Sequence, residues 1–223
     1  APLSINKPVG YNALLDYWSG NTSTAPPTSI STGILNQLAT NLKAENCTFN
    51  KDVIDAMFRQ VYDKTSVPWT QHNIPGLIYA PDYDMGPLGV AYNDTDSYQL
   101  NPPPSWNNGW QYRNDGVDIE TTQEIFNSNG YKVGFVEDNE WMNYTINVSA
   151  DSVYEIRVRQ GTNGASGANF YFEIDGAKAT DLYYASNTGS WDLFSTKTIP
   201  DVVFTRSDKT LTFVAPGGGT NLI

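Results

Sequence analysis

Strict alternation of apolar and polar residues between positions 141 and 148 constrains the fold more than any other feature of the sequence. The apolar members of this stretch are Met142, Tyr144, Ile146 and Val148. Polar residues occupy the positions between them, and Trp141, which precedes Met142, falls in the polar set. A period of two places the two sets on opposite faces of a β-strand. We therefore predict a strand with one buried face and an indole on its other, solvated face.

An indole on a solvated face, beside amides and carboxylates, is typical of a surface that binds sugar. The flat ring covers the C–H face of a pyranose, while polar neighbours hydrogen-bond its hydroxyl groups. The alternative is a Trp141 that is covered by a loop or by another domain. The alternation alone leaves both interpretations open.

Charge and composition exclude several classes of function. The formal net charge of −11 argues against nucleic acid and anionic membranes as partners, because both repel an acidic surface. A hydrophobic content of 39% is enough for a core, and the sequence has no apolar run long enough to span a bilayer. The first residues lack the features of a signal peptide. We expect a mature, trimmed or excised chain.

Single copies of cysteine and histidine limit the chemistry further. Cys47 is expected to be a small buried apolar residue, and His72 to lie in a linker at a domain boundary. Zinc sites with several histidines are excluded. A Ser/His/Asp triad would have to use His72, and no Gly-x-Ser-x-Gly sequence supports one.

The first 73 residues are predicted to form a small helical segment. One helix carries Ile34, Leu38 and Leu42 at four-residue spacing, with Ser29 or Ser31 as N-cap. A second is predicted to begin at Asn50, with one apolar face formed by Val53, Ile54, Met57, Phe58 and Val61. Such short helices scarcely close a core. We expect this segment to lean on the second domain or to be the tail of a preceding catalytic domain.

From residue 74 to 223 the pattern predicts a β-sandwich. Proline and glycine interrupt the chain, and short alternating strands are predicted at 154–159, 169–175, 191–198, 202–205 and 210–215. Antiparallel strands that are apolar on one face form two packed sheets. The outward residues of two strands, Trp141 with Asn143 and Tyr171 with Glu173, would share one surface if their strands share a sheet.

Several separated motifs resemble family 6 carbohydrate-binding modules in the family's order, across residues 74–223. They are IPGLIYAPDYD (74–84), GVAYND (89–94), YRNDGVDIE (112–120), GYKVGF (130–135), EW (140–141), NTGSW (187–191) and GGGTNL (217–222). The resemblance implies a mainly β fold, a jelly-roll sandwich that serves as a secreted or cell-surface accessory of a glycoside hydrolase.

The resemblance also implies where the sugar binds. In the loop site an aromatic pair grips the sugar, and by motif the pair is Phe135, where the family usually has Tyr or Trp, and Trp191. Asn221 supplies the amide and Glu120 a nearby carboxylate. A second site on the sheet face, found in some members, matches Trp141 with Asn143, Glu173 and Tyr171.

The resemblance fails at one point, the calcium-binding motif. The family's two glutamates, which commonly hold a structural calcium ion, are replaced by Tyr79 and Pro81. Carboxylate oxygens are the ligands that calcium prefers, so structural calcium is doubtful and only Asp82 remains as a candidate ligand. No other cofactor is expected.

The leading prediction is non-catalytic binding of a plant or algal polysaccharide: xylan, β-glucan, mannan or an agarose-type galactan. The N-terminal segment resembles, less distinctly, the region after the barrel of some bacterial family 5 glycoside hydrolases, which favours an attached hydrolase domain. One alternative is a small glycoside hydrolase that uses two carboxylates among Glu120, Glu137, Asp138 and Glu140. A second is a sandwich that mediates adhesion or protein interaction.

Overall fold

The computed structural model describes residues 3–4, 6–49, 57, 64–95, 112–113, 115–164 and 167–223. The chain divides into two units, Ala1–Met57 and Phe58–Ile223. None of the helices in the described ranges is long and apolar enough to cross a bilayer. The domain boundary that we expect near residue 73 stays a prediction.

The described part of the first unit includes two α-helices and a short ladder. Helix α1 spans Tyr11–Trp18 and α2 spans Thr28–Asn41, while β1 (Leu3–Ser4) pairs antiparallel with β2 (Thr48–Phe49). Leu14 and Ile34 are its buried hydrophobic residues among those described. Cys47 is half-buried, and its thiol donates to the carbonyl oxygen of Asn41.

Helix α2 confirms the predicted helix but not its start. Its N-cap is Pro27, so Ser29 and Ser31 lie inside the helix and the N-cap prediction was wrong. The ring of Pro27 restricts its own φ angle, here −54°, to a value that suits a helix. The helix therefore begins directly after this residue without a side-chain cap. The second predicted helix, over Asn50, Val53, Ile54, Phe58 and Val61, lies outside the described residues; Met57 alone is described, and it is helical and exposed.

The second unit contains two β-sheets. Its strands are β3 (His72–Ile74), β4 (Tyr92–Asn93), β5 (Ile119–Thr121), β6 (Tyr131–Val136), β7 (Glu140–Val148), β8 (Ser152–Gly161), β9 (Asn169–Ile174), β10 (Ala177–Lys178), β11 (Tyr183–Tyr184), β12 (Ser195–Phe204), β13 (Thr210–Gly217) and β14 (Thr220–Leu222). The seven-stranded sheet has the order β10-β9-β13-β7-β3, with β11 on β9 and β4 on β7. The five-stranded sheet has the order β12-β8-β14-β6-β5.

Alternation in β7 confirms the predicted strand and the mainly β sandwich. Every second residue of β7 is buried, from Glu140 to Val148, and Trp141 lies on the other face. The buried cluster includes Val133, Phe170 and Phe213, which come from both sheets. Apolar faces of two sheets therefore enclose the core, as the pattern predicts.

Two details of the strands differ from the sequence prediction. The predicted strands 191–198 and 202–205 are one strand, β12, whose pairing with β8 shifts between Ile199 and Val202. Asp201 has a φ of 61° at this irregularity, so a bulge carries the strand past Pro200. Trp191 lies before β12, which leaves its indole in a loop.

His72 does not lie in a linker, contrary to our expectation. It is 3% exposed in β3, which pairs in parallel with β7. Its Nε2 lies 3.0 Å from the carbonyl oxygen of Asp82, and its ring packs edge-on against Tyr144. The linker prediction was wrong because the chain already joins the sheet at this residue.

Candidate functional site

A bulge in β6 turns Phe135 towards solvent. Thr220 of β14 lies opposite Val136, whereas Leu222 lies opposite Val133, so β6 has one residue more than β14 over this span. Phe135 has a φ of 49° and is 39% exposed. An extra residue in one strand bends it and redirects a side chain. The bulge therefore holds a large aromatic ring in water.

The loop before β12 carries the second aromatic ring. Trp191 is 40% exposed. Asn221, which is 3% exposed in β14, donates its side-chain amide to the carbonyl oxygen of Trp191 at 2.9 Å. A central strand of the sheet therefore fixes the backbone beneath the indole.

The two rings line one cleft with a volume of about 800 Å³. All four predicted residues of the loop site border it: Glu120, Phe135, Trp191 and Asn221. Small-molecule sites of 300 to about 1,000 Å³ are common, so the cleft has room for sugar units. The fold therefore brings together residues that lie far apart in the sequence. Their role in sugar binding stays a prediction.

A buried lysine that the sequence analysis missed lies in this cleft. Lys132 is 4% exposed, and its Nζ lies 3.3 Å from Oε2 of Glu120 and 2.5 Å from Oδ1 of Asp192. Lys132 and Glu120 are opposite each other in the β5–β6 ladder. Their pairing follows from the register of that ladder, which the sequence does not specify. Asp192 directly follows Trp191, so the ion pair is a second tether of the aromatic loop.

Three further carboxylates accept hydrogen bonds from the loops around the cleft. Oδ1 of Asp138 accepts from the N–H of Gly218 at 2.7 Å, and Oε2 of Glu137 accepts from the hydroxyl of Thr95 at 2.6 Å. Glu140 is 8% exposed and accepts from the N–H groups of Thr95 and Glu137. Burial raises the pKa of Glu140, although these two hydrogen bonds oppose the shift.

These contacts bear on the glycoside hydrolase alternative. A hydrolase needs one carboxyl to deliver a proton and a second to act as base or nucleophile across the same sugar. Glu140 is instead committed to main-chain donors, and Asp138 holds the glycine-rich turn before β14. The geometry therefore assigns both groups to loop structure.

The predicted sheet-face residues also share one surface. β13 lies between β7 and β9, so Trp141, Val214 and Tyr171 form one cross-strand row. Asn143, Thr212 and Glu173 form the next row. The two pairs of residues therefore share a sheet, as supposed, but a strand separates them.

Hydrogen bonds within the protein occupy much of this sheet face. Asn143 donates to the carbonyl oxygen of Val90 at 3.1 Å and accepts from the hydroxyl of Thr212 at 2.7 Å. The hydroxyl of Tyr171 donates to Glu173 at 3.1 Å. Trp141 is half-buried, and the cavity of about 10 Å³ that it borders lies inside the sandwich, lined by core residues such as Val133 and Phe213. The loop cleft is the better site for a sugar ring.

The donor set around Asp82 does not fit a calcium ion. Oδ1 of Asp82 accepts from the hydroxyl of Tyr112 at 2.6 Å and from the amide of Asn129 at 3.1 Å. Its carbonyl oxygen faces His72. Within the described ranges, no three His, Cys, Asp or Glu side chains are grouped to hold a metal.

A buried guanidinium group, that of Arg113, binds main-chain oxygens of the two residues that follow Asp82. Arg113 is 1% exposed and donates to the carbonyl oxygens of Tyr83 and Asp84. It also pairs with Asp115 at 3.0 Å and lies 3.6 Å above the ring of Tyr83. An internal cation therefore satisfies oxygens that a metal would otherwise need.

A second cavity, of about 500 Å³, lies between β8 and residues 74–80. Core side chains such as Tyr144, Phe172 and Phe213 form much of its wall. Its aromatic side chains are buried, apart from the half-buried Tyr154, whereas the loop cleft presents two exposed rings. We therefore assign the candidate site to the loop cleft.

Known proteins are similar to part of the chain. β-Agarase AgaA of Microbulbifer thermotolerans is 28% identical over 98 residues, which are 43% of this chain and 22% of the agarase. The chain therefore spans less than a quarter of that relative.

Two solved structures are also similar. The C-terminal family 6 module of LamC, a marine laminarinase from Zobellia galactanivorans, has a TM-score of 0.42 and 23% identity, covering 48% of this chain and 82% of that chain. CsCBM6-3 from Clostridium stercorarium, solved with cellobiose, has a TM-score of 0.48 and 16% identity, covering 69% and 92%.

The profile of the carbohydrate binding module family 6 matches residues 110–223, just over half of the chain. This span includes both aromatic residues of the cleft, together with Glu120 and Asn221. The chain belongs to family 6 of the carbohydrate-binding modules, which bind carbohydrate and are not catalytic.

Proposed function

We propose that this chain binds a plant or algal polysaccharide in the cleft between Phe135 and Trp191. The bound polymer holds an attached glycoside hydrolase, in a secreted or cell-surface protein, on its substrate. One observation carries the proposal: two exposed aromatic rings, on a bulge and on a tethered loop, line the same cleft. Each stacked ring contributes about 1 kcal/mol beyond the area it buries.

The similarity to an agarase provides a ranking of the candidate glycans. The similarity to β-agarase AgaA favours an agarose-type galactan, ahead of xylan, β-glucan and mannan. Two rings and a few hydrogen bonds correspond to a Kd of roughly 0.01–1 mM. Affinity in this range suits a module that must release and rebind along a polymer.

Affinity electrophoresis in gels that contain each of the four polymers tests the proposal. We expect retention by at least one polymer, and loss of retention for Trp191→Ala with unchanged circular dichroism. Leu193→Ala is the matched control, because Leu193 is 60% exposed two residues further along the same loop. Full retention of Trp191→Ala would show that the cleft is the wrong site.

The same gels compare the two aromatic sites. Trp141→Ala is expected to keep most of the retention, since Trp141 is half-buried and the amide of Asn143 is already bonded. Loss of retention with Trp141→Ala alone would move the site to the sheet face. A chain that binds no polymer but forms a stable oligomer would favour the adhesion alternative.

The targeting role needs the intact parent protein. Trp191→Ala is expected to lower hydrolysis of insoluble polymer and leave hydrolysis of soluble oligosaccharide unchanged, because only the insoluble substrate gains from anchoring. An equal effect on both substrates would argue against targeting.

A further inference from the structure

The side chains that line the cleft carry an excess of negative charge. Among the described residues, four carboxylates line it, those of Glu120, Glu137, Asp138 and Asp192, against one ammonium group, that of Lys132. A concave site focuses the field of its own charges, so a ligand in it meets more repulsion than one on a flat surface. The cleft is therefore a poor environment for a second negative charge.

The single ammonium group is not available to a ligand. Lys132 is 4% exposed, and its Nζ already lies between Glu120 and Asp192. An incoming sulfate or uronate would have to displace one of these carboxylates to reach it. The cation therefore holds the aromatic loop and leaves an anionic ligand without a counter-charge.

Two of the carboxylates face solvent. Glu137 and Asp138 are both exposed, and their partners are the hydroxyl of Thr95 and the N–H of Gly218. Neutral donors stabilise an ionised carboxylate without cancelling its charge. Neither carboxylate is paired with a positive charge at these contacts.

We propose that the cleft selects uncharged polysaccharides and rejects their sulfated or uronate-bearing counterparts, with Glu137 and Asp138 as determinants of this specificity. The inference rests on the proposed function, because it concerns the same cleft. The inference restricts the ligand to uncharged polysaccharides. Stacking on Phe135 and Trp191 does not impose this restriction, because stacking depends on the shape of the sugar ring.

Polymer pairs that differ in charge on one backbone test this selection. Suitable pairs are agarose and the same agarose after chemical sulfation, and hydroxyethylcellulose and carboxymethylcellulose. We expect the anionic member of a bound pair to bind roughly tenfold more weakly in dilute buffer, through like-charge repulsion at close range. The difference should shrink at about 0.5 M salt, where screening is stronger.

The double variant E137Q/D138N separates charge from shape. Both amides keep an oxygen that accepts from Thr95 and Gly218, while two negative charges are lost. Binding of the anionic member should rise several-fold relative to binding of the neutral member. D181N/D201N is the matched control, since it removes two exposed charges that do not border the cleft and should leave the discrimination intact.

The outcomes distinguish this inference from the proposed function. If no polymer of either charge binds, the proposed function fails and the charge selection fails with it. If only an anionic member binds, polysaccharide binding stands and the selection by charge is overturned. If neutral and anionic members bind equally, polysaccharide binding stands and the selection by charge is overturned. If D181N/D201N improves anionic binding as much as E137Q/D138N, global charge decides, and the assignment to Glu137 and Asp138 is wrong.

Discussion

Asn221 donates its side-chain amide to the main-chain carbonyl oxygen of Trp191, with 2.9 Å between the two atoms. The bond joins a buried position of β14 to the loop that carries an exposed indole. An amide nitrogen has two hydrogens, and its oxygen has free lone pairs, so Asn221 can hold the loop and still contact a sugar. The residue therefore positions the aromatic ring in addition to its expected role as a ligand contact.

Asn221→Asp is expected to weaken polysaccharide binding by about tenfold and to lower the free energy of unfolding by about 1–3 kcal/mol. A carboxylate cannot donate to the carbonyl oxygen of Trp191, and it would face the carboxylate of Glu120 across Gly134. Affinity electrophoresis and urea unfolding measure the two effects. Gln123→Glu, an amide-to-carboxylate change at an exposed residue outside the cleft, adds the same charge and should alter neither quantity.

Lys132→Met is expected to lower the free energy of unfolding by about 1–2 kcal/mol, less than for a fully buried ion pair because both partners are partly exposed. Loss of the ion pair also frees Asp192 and loosens the Trp191 loop, so binding should weaken. Lys209→Met, at an exposed lysine that does not border the cleft, serves as control. Unchanged binding by Lys132→Met would mean that the loop keeps its position without the ion pair.

Removal of divalent cations is expected to leave stability unchanged. Hydrogen bonds from Tyr112, Asn129 and Arg113 already occupy oxygens of Asp82 and its neighbours. Thermal unfolding in EDTA and in excess calcium provides the measurement. A bound calcium ion at a hundred times its Kd would stabilise the fold by about 2.7 kcal/mol, so a clear fall in Tm with EDTA would contradict the prediction.

Glu140 is expected to make stability fall as pH rises. Burial raises the pKa of its carboxyl in the folded state, against hydrogen bonds from Thr95 and Glu137. The folded state then binds the proton more tightly than the unfolded state, so this contribution is full below the unfolded pKa and is lost as pH rises through the folded pKa.

Glu140→Gln removes this titration and provides the comparison. The free energy of unfolding of the original chain, minus that of the variant, should decline as pH rises through and above the ordinary carboxyl pKa of about 4.3. A difference that stays constant with pH would show that the pKa of Glu140 is the same in both states.

The local pattern predicted some features of the strands and helices and missed others, and each outcome has a physical reason. β7 was predictable because one face is buried and the other is not, so burial imprints a period of two on its residues. The start of α2 was not, because Pro27 replaces the side-chain cap that serine would supply. The merging of two predicted strands into β12 escaped prediction because a bulge at Asp201 interrupts the alternation without ending the pairing.

By itself the sequence determined the faces of the strands, the mainly β class and the family motifs, because each depends on residues that are neighbours along the chain. Only the tertiary structure decided that β13 separates β7 from β9 and that Lys132 bridges Glu120 and Asp192. Backbone hydrogen bonds between strands are the same for any side chain, so strand order follows from packing of the whole core. The cleft between Phe135 and Trp191 exists because that packing brings a bulge and a distant loop to one end of the five-stranded sheet.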